Sequence, residues 1–76
     1  MTHKDKSIAT LRNLAALAER HGVTQTAVAD IVGVRQSTVS QVFSARFHPT
    51  LDNLFKYLDA VNQVAGTSYN LGDIQP

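Results

Sequence analysis

Apolar residues recur at spacings of three and four in four separate stretches of this chain, the period of helices that bury one stripe. Ile8, Leu11, Leu14, Ala15, Leu17 and Ala18 make the first stripe. Ser7 stands where it can cap that helix, and Gly22, following Arg20 and His21, supplies a stop. A second helix begins with Thr24 as its N-cap, turns Val28, Ala29, Ile31 and Val32 inward, and stops at Gly33. Glycine takes the positive φ that a tight exit needs. A third runs from about Gln36 to Phe43 or Ser44 with Val39, Val42 and Phe43 inward. Residues 45–48 read as a loop, and Pro49 or Thr50 opens a fourth helix, proline being well tolerated in a first turn. Its expected stripe is Leu51, Leu54, Phe55, Leu58 and Val61.

Beyond Gly66 the helical period stops. Tyr69 and Leu71 alternate with polar neighbours, which suggests a short strand, the competing reading being a frayed terminus. The expectation is therefore an all-α, compact four- to five-helix domain spanning residues 1–76. Residues 1–6 form a flexible arm in this scheme, and residues 67–76 a tail with a short strand and a role in dimerisation.

Composition narrows the class. Seventy-six residues allow one domain with a small core, so self-association is a reasonable way to bury more surface. The 43% hydrophobic and 17% charged content fits a folded domain. Without cysteine there is neither a disulfide framework nor a thiolate metal site, which suits a reducing cytosol. No apolar run approaches the roughly 18 residues of a membrane span, so a cytoplasmic protein with no membrane partner is expected. The net charge of +1 is uneven: residues 1–23 carry four cations against two anions, and residues 51–76 one cation against three. Such a gradient would steer an anionic partner towards the first two thirds of the chain.

The third helix is the odd one. Gln36, Ser37, Thr38, Ser40 and Gln41 surround its two valines, where an ordinary surface helix would carry Lys and Glu. Amides and hydroxyls both donate and accept, and so suit a face that meets another molecule's hydrogen-bonding groups. At about 100° per residue, Ser37, Ser40, Gln41 and Ser44 fall opposite Val39, Val42 and Phe43, with Gln36 at the leading tip and Thr38 on the flank.

Two short helices joined by Gly33–Val34–Arg35 have the form of a helix-turn-helix. Ala29, four residues before Gly33, is small where the second helix would pass closest to the third. Val28, Val32, Val34, Val39 and Val42 are apolar where the pair would seal against the core, and Gln25 and Gln36 open the two helices. In "TQTAVADIVGVRQSTVSQVF", followed by Pro49, Thr50 and Leu51, the chain resembles the lambda-repressor-like (Cro/C1-type, XRE) family of DNA-binding domains. Two positions depart from the family pattern. Ala45 stands where many members close the third helix with glycine, and Arg35 holds a cap position where Ser or Gly is commoner.

The resemblance implies a sequence-specific binder of double-stranded DNA whose third helix enters the major groove. Gln36, Ser37, Thr38, Ser40 and Gln41 are then the base-contacting candidates: Gln pairs bidentately with adenine, Ser bonds several bases, and the Thr methyl meets the thymine methyl. Backbone contacts fall to Thr24, Gln25, Arg35, Ser44 and, from the resemblance, Arg46. Lys4 and Lys6 would lie along the arm. A homodimer is expected, with Tyr57, Val61, Tyr69, Leu71 and Ile74 at its interface and Tyr57 leaving a free ring. The family reading is a transcriptional repressor, with an antitoxin that also binds a protein toxin, or an interaction module without DNA binding, as alternatives. His3, His21 and His48 are scattered with no nucleophile or carboxylate constellation, so neither enzyme activity nor a cofactor or metal is expected.

Overall fold

The computed structural model describes residues 3–44 and 50–76, with residues 3–6 described in backbone only. Among the described residues five helices follow one another: α1 (His3–Arg20), α2 (Gln25–Val32), α3 (Gln36–Phe43), α4 (Leu51–Ala65) and α5 (Leu71–Ile74). The expected loop at 45–48, Pro49 and Arg46 lie outside the described residues.

Local chemistry sets most boundaries. Thr24 is extended and its Oγ1 accepts from Ala27 N at 3.1 Å, and Thr50 does the same for Asn53 N at 3.1 Å. Each cap satisfies one of the amides that a helix start leaves unpaired. Gly33 closes α2 at φ 83° with its N–H on Ala29 O at 2.8 Å, and Val34 N reaches the same carbonyl at 3.1 Å. No atom lies within 4 Å of where a Cβ on Gly33 would be, so backbone conformation rather than space calls for glycine there. Gly66 ends α4 in the same left-handed state.

The core is built from one stripe per helix. α1 contributes Leu11, Leu14, Leu17 and Ala18, α2 Val28 and Ala29, α3 Val39 and Val42, and α4 Leu54, Tyr57, Leu58, Ala60 and Val61. α2 packs on both α3 and α4, and α1 spans α3, α4 and α5. No buried side-chain polar atom among the described residues lacks a partner.

Several expectations need correction. α1 starts at His3, so Ser7 lies inside it and the supposed arm is helical from residue 3. The tail holds no strand. Asn70 and Asp73 form a capping box that starts α5, and an all-helical fold offers a strand no partner. Ile31, Leu51 and Phe55, expected inside, are exposed. Conversely Tyr57 offers no free ring: it is 3% exposed and meets Phe43 edge-on, with centroids 5.8 Å apart. Burial raises its phenol pKa. Val61 is fully buried and Ile74 nearly so, while Tyr69 and Leu71 are half-buried against the same core. The tail thus folds back on its own subunit. Asn13 Nδ2 donates to Ile74 O at 2.7 Å, and Asn62 Nδ2 to Tyr69 O at 2.8 Å. Asn62 Oδ1 accepts from Tyr69 N and Thr67 Oγ1, and the His21 ring nitrogen Nε2 bonds the Tyr69 hydroxyl at 2.9 Å.

Candidate nucleic-acid interface

α3 is eight residues long, too short to persist alone, and Val39 and Val42 hold it against the core. Those two valines dictate which way its polar residues point. Gln36, Ser37, Ser40, Gln41 and Ser44 are exposed, and Thr38 is half-buried on the flank. Among these, Ser37, Ser40 and Gln41 spend no side-chain hydrogen bond within the fold among the described residues, so their donors and acceptors remain available.

Gln36 is different. Its Nε2 donates to Gln25 Oε1 at 3.1 Å, which ties the first residue of α3 to the first residue of α2. One amide hydrogen of Gln36 is thereby used. Its second N–H and its Oε1 remain, one donor and one acceptor side by side. That is the complement of adenine N7 and N6–H in the major groove. Gln25 keeps its own amide donors for a second contact.

Amide-rich helix starts surround this pair. Gln25 and Thr26 are the first two residues of α2, and Gln36 and Ser37 the first two of α3, so their backbone N–H groups have no carbonyl one turn back to bond. The dipole and these free amides favour an anion such as a phosphate. Thr24 Oγ1 accepts from Ala27 N but retains its own hydrogen to donate. Arg35 precedes α3 in extended conformation, exposed, without a side-chain capping bond and without a side-chain partner among the described residues.

Ser44 departs from its expected role. Its hydroxyl donates to Ser40 O at 2.8 Å and Gln41 O at 3.2 Å, leaving no hydrogen for a phosphate oxygen. It closes α3 instead, with φ −85° and ψ 2°, and explains how the helix ends without a left-handed residue at Ser44. A depression of about 370 Å³ opens beside it, lined by Ala15, Ala18, Val23 and Phe43 and bordered by Glu19, Gln25, Ser40 and Ser44. Glu19 was not legible as a site residue, because only the packing of α1 on α3 carries it there from 21 positions before Ser40. Its carboxylate disfavours close approach of a phosphate on that edge.

A short helix presenting uncharged hydrogen-bonding groups, braced by a preceding helix through a glycine turn, defines a helix-turn-helix DNA-binding domain. A helix-turn-helix family model matches residues 14–65, from Leu14 in α1 to the end of α4. The chain belongs to this family, of the Cro/C1-type (XRE) kind, whose members are DNA-binding regulators. No curated protein and no solved structure matches it. No helix among the described residues is long and apolar enough to cross a membrane.

Proposed function

We propose that this chain is a cytoplasmic, sequence-specific transcriptional repressor that binds a pseudopalindromic operator as a homodimer, with α3 in the major groove. The observation that carries the reading is the Gln36–Gln25 hydrogen bond at the head of an uncharged exposed face. It ties down one N–H of Gln36 and leaves the other beside Oε1, the donor–acceptor pair that adenine readout uses. Ser37, Ser40 and Gln41 supply further base-edge contacts. Thr24, Gln25, Arg35 and Arg46, with the free amides of α2, hold the phosphates.

A single domain reads few base pairs, so two copies about a twofold axis are needed for a selective site. Two recognition helices then lie about 34 Å apart, one turn of DNA. Occupying such an operator represses by excluding other proteins from the same DNA. Residues 67–76 are engaged within their own subunit, which favours a plain regulator over an antitoxin that lends its tail to a toxin.

Selection of binding sites from random duplex DNA tests this directly. The expected product is a motif with two inverted half-sites spaced by about one helical turn. Enrichment of no motif would overturn sequence-specific binding, and a single unrepeated half-site would overturn the dimer.

A further inference from the structure

The tail is spent on its own subunit, so a dimer of this chain needs another surface. Among the described residues five large apolar side chains remain exposed: Ile31, Val34, Leu51, Phe55 and Val64. Leu51 and Phe55 are the most exposed of them, at 58% and 50%. They stand four residues apart on α4, one turn along the same face. Asp52 and Lys56 stand on the adjoining row with the same spacing, and neither has an ion-pair or hydrogen-bond partner among the described residues.

Resting on the dimeric reading above, we infer that this N-terminal flank of α4 is a self-complementary face whose occupant is the same face of a second copy. The charge order selects the arrangement. Two α4 helices packed antiparallel about a twofold axis near Asn53 and Leu54 bring Leu51 of one copy to Phe55 of the other. The same crossing brings Asp52 of each to Lys56 of the other. The interface is isologous: each contact occurs twice, and the two ion pairs sit beside an apolar centre. A parallel pairing would set Asp52 against Asp52 and Lys56 against Lys56, so the charges favour the antiparallel one. Buried Tyr57 and Leu58 hold the face in place from within, so it is presented ready-made rather than formed on contact.

Sedimentation equilibrium of the full chain and its variants tests the assignment, with circular dichroism as a check on folding. Wild type should be dimeric, and Phe55→Glu monomeric with native helicity, since the side chain is outside the core. Lys56→Asp places like charges across the axis and should weaken the dimer by about tenfold. Adding Asp52→Lys reverses both signs and should restore wild-type dimerisation. A dimeric, folded Phe55→Glu variant, or a double charge reversal no better than Lys56→Asp alone, would overturn this face while leaving the dimeric reading intact. Should Phe55→Glu fail to fold, the charge pair decides by itself. A wild-type chain that is monomeric both free and on its selected operator would remove the dimer and this face together.

Discussion

Removing Gln25 should harm base recognition even though Gln25 reads no base. Gln36 carries the proposed adenine contact, worth about 1–3 kcal/mol. Its amide plane is held by one neutral, exposed hydrogen bond of 3.1 Å to Gln25, of a kind that contributes about 0.5–1.5 kcal/mol. Gln36→Ala forfeits both. Gln25→Ala leaves the Gln36 side chain to sample rotamers that miss the base, and forfeits the brace together with any phosphate contact of its own. The double variant therefore loses less than the sum of the singles, by the ordering that the bond gives Gln36, which its own worth bounds from above. In affinity that shortfall is at most roughly two- to tenfold. Fluorescence anisotropy titrations of the four proteins, on the selected operator and on a random duplex at one salt concentration, give the cycle. The coupling should appear on the operator alone, because on random DNA neither amide is reading a base. Losses on the operator that add to within about 0.3 kcal/mol would refute the brace, since independent sites behave that way.

Arg35→Ala should leave stability alone, there being no capping bond to lose, yet flatten the plot of log K against log salt by about one unit; an unchanged slope means that Arg35 meets no phosphate. Ala29→Leu, at a position 4% exposed in a helix packed on both α3 and α4, should cost about 1–3 kcal/mol by overpacking. That corresponds to a melting point lower by roughly 4–8 °C per kcal/mol, and a variant that melts with wild type would show the crossing to be roomy. For Tyr57 the unfolded phenol titrates at the ordinary value and the folded one higher. Stability is therefore intact below about pH 10 and falls above it, as the unfolded chain sheds its proton first. Tyr57→Phe should lessen that alkaline decline in urea melts across the range, and an equal decline in both proteins counts against it. Ile74→Ala should lower stability by about 2–5 kcal/mol without changing the sedimenting species, whereas monomerisation would return the tail to the interface.

The legible parts of the fold were those decided within a few residues. Thr24, Gly33, Thr50 and Gly66 act through their own backbone and the next turn, so their types announce the boundaries they set. The stripes of α1 and α3 were legible too, because each buries a narrow arc. α4 was misplaced for a geometric reason. It is covered by α1, α2 and α5, so its buried arc runs through Leu54, Tyr57, Leu58, Ala60 and Val61 and leaves Leu51 and Phe55 at the rim. Apolar spacing gives the period of a helix but not how many neighbours surround it. The tail failed similarly. Tyr69 and Leu71 alternate like a strand, whereas Asn70 and Asp73 at a spacing of three carry the helix signal that the structure obeys. At the site, residue types announced the exposed, uncharged polar face of α3. The Gln25–Gln36 bond, the hydroxyl of Ser44 turned back on its own helix and the nearness of Glu19 depend on how helices dock.

Among the described residues the side chains of Ser37, Ser40 and Gln41 hydrogen-bond neither the core nor each other, while Val39 and Val42 beside them hold α3 in place. On the proposed reading, addressing and folding are thus written in separate letters of one eight-residue word. Randomising the three outward positions should yield a library of proteins that nearly all melt together yet prefer different DNA sequences. A lineage carrying this domain can change its target one substitution at a time without passing through an unfolded intermediate.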